Sequence, residues 1–456
     1  MNIIIAGCGK VGQNLAELLA SSRHEVTVMD KDYDALSTVT STVDVMGYQG
    51  ECNRISNLKD AGIENANLLI AVTNDDETNM LTCLMAKKVG ECKTIARIRS
   101  PKYTDEIEYL RDEMGLSMSI NPEMVAADEI VRLIQIPSAL EVDTFAKGKI
   151  SLIGIEIPEN SVLDNLTIRE MSYKVGTSFL ICVVEHDKEV IIPNGDTKLH
   201  AGDKISVRLS MEEVNPFLNK IGIKAKKIKN VLIAGGGTIS YYLAKKLLAL
   251  RINVKIIEKD RERCEELAEL LPKAMIISGD ATEKRLLLQE SVEDMDAVCC
   301  LMHQDEANIL LSLYLGKINN KIKTITRIHR NSYEDLVSEL PIGRIISTKS
   351  ITADYIARYV RSMQNSMGSE VEALYQIMDN RVEALELIVG EDFEYAGREL
   401  KDISMIDNTL VCSINRRGKI IRPGGRDTLE LGDSVVVVTT HKGLTSIQGI
   451  VKKRAE

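Results

Sequence analysis

The sequence contains the same series of motifs twice, at an almost constant spacing. The glycine turn GCGKVG at residues 7–12 follows an apolar run at residues 3–6, and GGGTIS at residues 235–240 follows an apolar run at residues 231–234. The two turns are 235 − 7 = 228 residues apart, and Arg97 and Arg327 are 327 − 97 = 230 residues apart. A repeat of this length predicts that one structural unit is built twice, with small loop insertions.

Length and composition indicate a soluble protein of several domains. The 456 residues exceed what one hydrophobic core organises, and 44% hydrophobic with 27% charged residues is an ordinary globular composition. The net charge of −10 argues against a general nucleic-acid binder, because phosphate binding needs a basic face. No apolar run approaches the roughly 18 to 20 residues of a membrane span, and the chain begins with a strand pattern rather than a signal peptide. We therefore expect a cytosolic protein.

Cysteine and histidine patterns argue against a metal site or a disulfide framework. The nine cysteines show no CxxC spacing, and the six histidines form no cluster. This pattern is typical of reduced, packed thiols in a reducing compartment.

Short apolar strands alternate with amphipathic helical segments from residue 1 to about 135, which predicts parallel βαβ units. The second, fourth and fifth strands are predicted at residues 26–29, 68–72 and 94–98. From about residue 145 the pattern becomes β-rich, and a short basic linker at residues 224–230 precedes the second copy. The sequence thus predicts an α/β fold with two tandem Rossmann-like doubly wound domains, each followed by a small α+β domain. The predicted domains are residues 1–140, 141–224, 225–368 and 369–456.

The first copy has the complete signature of a dinucleotide site. Its three glycines permit the tight turn, the approach of the backbone to the pyrophosphate and the close packing of helix on strand. Asp30 is placed to accept hydrogen bonds from a ribose and to repel a 2′-phosphate, which favours NAD(H) or an adenosine nucleotide over NADP(H). Glycines that only shape the turn are the alternative. The predicted loop residues are Gly7, Cys8, Gly9, Lys10, Val11 and Gly12.

The second copy departs from this signature at one position. It keeps Gly235, Gly237 and Thr238, and Glu258 stands in the ribose position, but Ser240 replaces the third glycine. A serine adds a side chain where helix and strand approach closely. The second site is therefore predicted to bind a nucleotide as well, and a site altered in shape or lost through this serine is the alternative.

Further candidates are expected at the carboxyl edge of each sheet, where ligands of doubly wound folds bind. They are Glu51 and Cys52, Asp280 and Ala281 after the third strands, Thr73 and Asn74 after the fourth, and Arg97 and Arg327 at the ends of the fifth. The arginines are expected to contact a nucleotide phosphate, their own or one across a dimer interface. For Asn74 or Asp75 taken singly, helix capping is the favoured role. A plain turn after the third strands and a surface salt bridge of the arginines are the alternatives. The repeated D-E-x-N pattern that follows suggests an inter-domain or nucleotide-side contact.

Catalytic groups are missing from the pattern. Neither β-rich segment supplies a matched His, Lys or Cys constellation that would act as acid or base beside a nicotinamide. His186 and His303 have no counterparts in the other copy, and residues 299–300 are two cysteines within a strand pattern, more typical of core than of a nucleophile.

The order of these motifs resembles a known family. Each unit has a glycine turn, a strand-end acid and a D-E-x-N segment, followed by a β-rich lobe that ends in Pro-x-Gly and Leu-x-x-Gly-Asp. The last two motifs lie at residues 193–195 and 199–203, and again at 423–425 and 429–433. Over essentially its whole length the chain resembles the TrkA-type regulatory subunits of Trk potassium uptake systems, a family with tandem RCK (also called KTN) domains.

This resemblance implies a non-enzymatic cytoplasmic subunit, peripheral on the cytoplasmic face of the cell membrane, that binds NAD(H) or ATP and ADP at its N lobes. It also implies a homotetrameric gating ring of eight RCK units beneath an integral-membrane potassium-translocating subunit of the TrkH or KtrB type. From the net charge, we expect no nucleic-acid partner. An NAD-dependent oxidoreductase and a free-standing nucleotide sensor are the alternatives. Motif by motif, the matching residues are Gly7, Gly9, Gly12, Asp30 and Arg97 for the first site, and Gly235, Gly237, Glu258 and Arg327 for the second.

Overall fold

The structure is a computed structural model of the chain. It describes residues 1–22, 24–100, 103, 106–111, 113–135, 141–145, 150–174, 179–223, 228–329, 340–366, 371–378 and 381–452. The predicted domain limits at 140/141, 224/225 and 368/369 lie in or beside stretches outside these residues, as do residues 224–227 of the predicted linker. The domain limits therefore stay predictions.

A six-stranded parallel sheet forms the first Rossmann lobe. Its strands are β1 (Asn2–Ala6), β2 (Glu25–Asp30), β3 (Met46–Gln49), β4 (Leu68–Ala71), β5 (Lys93–Arg97) and β6 (Met118–Ile120). The strand order is β3-β2-β1-β4-β5-β6, which confirms the predicted doubly wound sheet. The central strands are apolar on both faces because helices cover both sides of a parallel sheet. The direction of winding reverses between β1 and β4, so a ligand crevice is expected at their carboxyl ends.

Polar caps begin two of the helices in this lobe. Asp32 accepts the backbone N–H of Asp34 at 2.9 Å, and Asp75 accepts that of Thr78 at 2.8 Å. Both carboxylates satisfy N–H groups that a helix start leaves unpaired, and the predicted capping role of Asp75 is confirmed. The helices are α1 (Lys10–Ser21), α2 (Tyr33–Thr42), α3 (Ile55–Asp60), α4 (Asp76–Val89), α5 (Ile107–Leu110) and α6 (Pro122–Gln135).

The second Rossmann lobe repeats this arrangement. Its sheet comprises β12 (Asn230–Ala234), β13 (Asn253–Glu258), β14 (Met275–Ser278), β15 (Ala297–Cys300), β16 (Lys323–Arg327) and β17 (Arg344–Ile346), in the order β14-β13-β12-β15-β16-β17. Its helices are α9 (Thr238–Ala249), α10 (Arg261–Leu270), α11 (Lys284–Gln289), α12 (Asp305–Ile318) and α13 (Thr348–Ser366).

Each β-rich lobe is a five-stranded antiparallel sheet. The first contains β7 (Glu141–Phe145), β8 (Ile150–Glu156), β9 (Leu180–His186), β10 (Glu189–Ile191) and β11 (Lys204–Leu209), with helices α7 (Ile168–Lys174) and α8 (Met211–Lys220). The second contains β18 (Val371–Ile377), β19 (Val382–Ile388), β20 (Thr409–Arg416), β21 (Lys419–Ile421) and β22 (Ser434–Thr439). The strand orders β7-β8-β11-β9-β10 and β18-β19-β22-β20-β21 are equivalent.

A buried aspartate closes the Leu-x-x-Gly-Asp turn of each β-rich lobe. Asp203 is 2% exposed, and it accepts the backbone N–H of His200 at 2.7 Å and pairs with His186 Nδ1 at 2.6 Å. Asp433 is 1% exposed and is bound by the Arg416 guanidinium at 2.7 and 2.9 Å. The same buried carboxylate therefore has a titratable partner in one lobe and a permanently charged partner in the other.

Lobes of the same kind form the compact units of the chain. One unit comprises Met1–Ile134 with Ile228–Ala357, and the other comprises Gln135–Lys227 with Arg358–Glu456. The sequence repeat did not reveal this pairing, because it gives the order of the lobes along the chain and not their contacts.

Helix α6 joins the two Rossmann lobes within their unit. Ala126 and Ile130 on this helix belong to the same core as Ile239 and Leu243 on α9. Polar contacts flank this core: Asn121 donates to the Tyr242 hydroxyl at 3.0 Å, and Lys246 pairs with Asp128 at 2.7 Å. The second lobe's core is therefore completed by a helix of the first.

The two β-rich lobes also share a core. Phe145, Cys182 and Val183 of the first lobe pack in one apolar cluster with Ala384 and Cys412 of the second. Among the described residues, no helix combines the length and apolar character needed to cross a membrane.

Candidate functional site

A cavity of about 290 Å³ lies at the carboxyl edge of the first Rossmann sheet, where the winding reverses. Most of the predicted loop and strand-end residues of the first lobe meet there. Its lining residues are Gly7, Gly9, Met29, Asp30, Lys31, Gly50, Glu51, Cys52, Asn53, Val72, Thr73, Asn74, Asp75 and Thr78. Their convergence gives the geometry of a nucleotide crevice.

The glycine turn shapes one wall of this cavity. Gly7 has a φ of +109°, and a side-chain carbon there would lie 2.8 Å from the backbone nitrogen of Thr73. A carbon added at Gly12 would lie 1.9 Å from the Gly7 carbonyl oxygen, so this glycine lets helix α1 approach the turn. Gly9 faces open space, with no atom within 4 Å of such a carbon. The turn therefore leaves room for a ligand directly before the positive end of a helix.

Asp30 is held in place at the end of β2. One carboxylate oxygen accepts the backbone N–H of Cys8 at 2.7 Å and the other accepts that of Asp32 at 3.0 Å. Each carboxylate oxygen has a second lone pair that these bonds leave unused. Asp30 is thus oriented to accept hydrogen bonds from a ligand hydroxyl in the cavity.

The thiols near the cavity are poor nucleophiles. Burial, with a smaller contribution from Asp30, raises the pKa of Cys8 to about 12. Burial also raises the pKa of Cys52, which is 7% exposed and accepts a hydrogen bond from the Thr82 hydroxyl at 3.3 Å. Because the thiolate is the reactive form, these cysteines have packing roles. Glu51 pairs with Arg54 at 2.5 Å at the surface.

A buried asparagine fixes the strand ends that carry the site in each lobe. Asn79 accepts the N–H of Thr73 at 2.9 Å and donates to the carbonyl oxygens of Thr73 at 3.2 Å and Arg97 at 2.9 Å. In the second lobe Asn308 makes the same three bonds, to Met302 and Arg327. The D-E-x-N pattern suggests an inter-domain or nucleotide-side contact. Its asparagine instead bonds backbone groups of its own lobe.

Arg97 is not among the lining residues of the first lobe's cavity, and Arg327 is its counterpart in the second lobe. Arg97 is 7% exposed, and its Nε and that of Arg327 are buried without a hydrogen-bond partner. Burial is the largest cause of the lowered pKa of both side chains, and Glu123 on α6 acts on both in the opposite direction. Glu123 also binds Arg99 at 2.9 Å. A phosphate-binding role for Arg97 and Arg327 stays a prediction.

The other predicted residues of the first lobe take supporting positions. Cys8 is buried behind the turn, while Lys10, Val11 and Gly12 begin helix α1 and do not line the cavity. Sequence reasoning missed Lys31, Asn53 and Thr78 among the lining residues. Their closeness in sequence to predicted residues could have identified them, because each lies within a few positions of one, at a strand end or in a first helical turn.

The glycine turn of the second lobe has the same backbone conformation as the first. Gly235 has a φ of +101°, and Gly237 has φ −66° and ψ −177°, against −67° and −178° at Gly9. Ser240 is buried, and its hydroxyl donates to the Gly235 carbonyl at 2.6 Å. Glu258 accepts the N–H of Gly236 at 2.5 Å, as Asp30 accepts that of Cys8. The serine is therefore compatible with the turn.

Other contacts of the second lobe differ from those of the first. The Nε of Arg263 donates to the Gly236 carbonyl at 2.8 Å, where the first lobe has Ala35. Asp280 accepts the backbone N–H and hydroxyl of Thr282 at 2.8 and 2.7 Å, and these bonds lower its pKa. Ala281 is buried, and Thr238 begins helix α9. Asp280 thus stabilises its own turn.

No group of three or more His, Cys, Asp or Glu side chains suited to a metal ion occurs within the described part of the chain. The nine cysteines are all free and buried. Their burial agrees with the predicted packing of these thiols.

Two family models match the chain, each of them twice. The TrkA-N domain matches residues 3–122 and 231–348, and the TrkA-C domain matches residues 152–222 and 384–451. The chain belongs to the TrkA family. The predicted family and the predicted tandem order of N and C lobes are confirmed.

Curated TrkA proteins match along the full chain. The Trk system potassium uptake protein TrkA homolog of Archaeoglobus fulgidus is 31% identical over 452 residues, covering 99% of this chain and 100% of the relative. The Trk system potassium uptake protein TrkA of Halomonas elongata is 31% identical over 450 residues, covering 97% and 96%. These names denote a potassium uptake system and no enzymatic reaction.

Solved structures of GsuK share the fold. The GsuK channel bound to NAD superposes with a TM-score of 0.63 at 16% identity, covering 96% of this chain and 76% of that one. The GsuK RCK domain gives 0.62 at 16%, covering 97% and 92%. GsuK bound to ADP gives 0.50 at 14%, covering 79% and 69%. These likenesses support the tandem RCK architecture of this TrkA-family chain.

Proposed function

We propose that this chain is the cytosolic regulatory subunit of a Trk-type potassium uptake system. It binds NAD(H) or ATP and ADP at its Rossmann lobes and controls a separate integral-membrane potassium-translocating subunit. The observation that carries this proposal is the cavity at the glycine turn, in a chain that matches TrkA proteins over its whole length.

The chemistry of the cavity suits an adenosine nucleotide. Gly9 leaves space for phosphates before the N-terminus of α1, where unpaired N–H groups favour anions. Asp30 accepts the ribose hydroxyls, and a 2′-phosphate is disfavoured beside its charge. The GsuK structures bound to NAD and to ADP support this ligand class.

The residues around the cavity suit binding rather than catalysis. The thiols of Cys8 and Cys52 are buried with a raised pKa, and the described lining of the first lobe's cavity contains no histidine and a single lysine, Lys31. A nucleotide therefore acts as an effector: it shifts the balance between conformations that bind it with different affinity. We place these conformations in a homotetrameric gating ring on the cytoplasmic face of the membrane.

Matched glycine substitutions test the two sites separately. Gly9→Asp and Gly237→Asp each add a carboxylate at a position where no atom lies within 4 Å of the new side-chain carbon. The fold is therefore retained, and the new charge opposes the phosphates. We expect each variant to lose one bound nucleotide per chain, with affinity at the altered site reduced about 100-fold or more, because opposed like charges cost several kcal/mol.

Isothermal titration calorimetry with NAD, NADH, ADP and ATP measures this loss, alongside potassium transport by the membrane subunit. Glu17→Gln is the control, since Glu17 is exposed on α1 and lies outside the cavity lining. Unchanged stoichiometry in folded Gly9→Asp protein would refute the site. Substrate-dependent NADH oxidation would instead favour an oxidoreductase. Potassium transport that is the same with and without this protein would favour a free-standing sensor.

A further inference from the structure

The second Rossmann lobe presents a histidine where the first presents an asparagine. Asn74 lines the cavity of the first lobe. The residue before it, Thr73, is fixed by Asn79, and the residue before His303 is fixed in the same way by Asn308, with an N–H to Oδ1 distance of 2.9 Å in both lobes. Because the two loops share this scaffold, His303 is the residue equivalent to Asn74 at the carboxyl edge of its sheet, and it is exposed.

The two lobes also differ in a residue that follows the next strand of the sheet, β5 in the first lobe and β16 in the second. The backbone N–H of Arg99 is bound by Asp76 at 2.9 Å, and that of His329 is bound by Asp305 at 2.9 Å, so the two residues are equivalent. Where the first lobe carries a permanent cation, paired with Glu123, the second carries an imidazole.

The two imidazoles of the second lobe lie next to each other. The ring centroids of His303 and His329 are 5.7 Å apart. His329 Nδ1 lies 2.9 Å from an Asp305 oxygen, which leaves its Nε2 as the nitrogen directed away from that carboxylate. Among the described residues, the charged groups acting on His329 are Arg327, Asp305 and His303. Burial, followed by Arg327, lowers the pKa of His329.

We infer that His303 and His329 form a proton-dependent phosphate contact, so that the second Rossmann lobe binds nucleotide phosphates more tightly as the pH falls while the first lobe does not. This inference rests on the proposed function, since it requires that the second lobe binds a nucleotide. A phosphate beside the imidazoles favours their protonated form, so binding takes up protons. The gain in affinity is present at low pH and is lost as the pH rises and the imidazoles become neutral.

The experiment uses full-length protein with one lobe blocked at a time. Gly9→Asp leaves only the second site and Gly237→Asp only the first, and each is titrated with ADP at about pH 6, 7 and 8. The terminal phosphate of ADP itself titrates near neutral pH, but this contribution is common to both proteins and cancels in their comparison. We expect the affinity of the second site to increase, relative to the first, by about tenfold from pH 8 to pH 6, with uptake of up to one proton per site at intermediate pH.

Exchanging the residues between the lobes provides the matched controls. His303→Asn, added to Gly9→Asp, installs the first lobe's own residue at an exposed position and should remove most of the pH response while ADP still binds at pH 8. Asn74→His, added to Gly237→Asp, should give the first site part of that response.

The outcomes separate this inference from the proposed function. If Gly9→Asp protein binds ADP with the pH response of Gly237→Asp protein, or if His303→Asn leaves the response unchanged, the inference is overturned and the proposed function stands. If Gly9→Asp protein binds no nucleotide at any pH while wild-type protein binds one per chain, nucleotide binding by the second lobe fails, and the inference fails with it.

Discussion

In the first Rossmann lobe, a side-chain carbon at position 12 would lie 1.9 Å from the Gly7 carbonyl oxygen, whereas the second lobe has Ser240 at the matching place and uses its hydroxyl to bind the Gly235 carbonyl. The turns themselves agree, with φ values of +109° and +101° at their first glycines. The turn conformation therefore does not require a glycine at the third position of the motif, Gly12 or Ser240. We infer that the residue at this position sets how closely the following helix approaches the turn.

The largest expected effect is on stability when the serine is moved to the first lobe. Gly12→Ser should lower the free energy of unfolding by about 3 kcal/mol, because the added carbon overlaps a backbone oxygen that cannot move aside as a side chain would. Chemical denaturation followed by circular dichroism measures the change. Ser240→Ala is the control, and it should cost about 1 kcal/mol for the lost hydrogen bond. Equal losses in the two lobes would show that their helices approach the turns alike.

A somewhat smaller and symmetric effect is expected at the buried asparagines. Asn79→Ala leaves the N–H of Thr73 and the carbonyl of Arg97 without their partner, which should cost about 2 kcal/mol. Asn308→Ala should cost about the same, since it breaks the same bonds. Thermal unfolding of both variants tests this equivalence. A loss confined to Asn79→Ala would mean that the second lobe's strand ends are held by other contacts.

The smallest expected effect contrasts the β-rich lobes. The hydrogen bond to Asp203 is the largest cause of the raised pKa of His186, so this partnership favours the folded state below the ordinary histidine pKa and is lost as the pH rises through the raised value. Arg416 stays charged, so its partnership with Asp433 does not change over this range. NMR titration of the imidazole should show a pKa above that of free histidine, and Asp203→Asn should lower it. A His186 titration unaffected by Asp203→Asn would contradict the pairing.

The fold and most of the cavity could be predicted because they depend on local patterns. Apolar runs of strand length predict the parallel sheets. Gly9, Asp30 and Thr73 each lie at or just after the end of a strand, so these three residues were expected at the same edge of the sheet, where they line the cavity. Contacts between distant segments could not be predicted. The apolar face of α6 is visible in the sequence, but not that it packs on α9, and the role of Asn79 depends on backbone groups 6 and 18 positions away.

The position of α6 has a consequence for any half of this chain produced alone. A protein starting at residue 228 would keep the second Rossmann sheet but lose the helix that covers Ile239, Leu243 and Leu247, and it would expose that apolar face to water. Such a fragment is expected to aggregate or to recruit a copy of itself. In this respect the two Rossmann lobes resemble the two subunits of a dimer joined in one chain. A substitution on α6, which belongs to the first lobe, should therefore also change the stability of the second lobe.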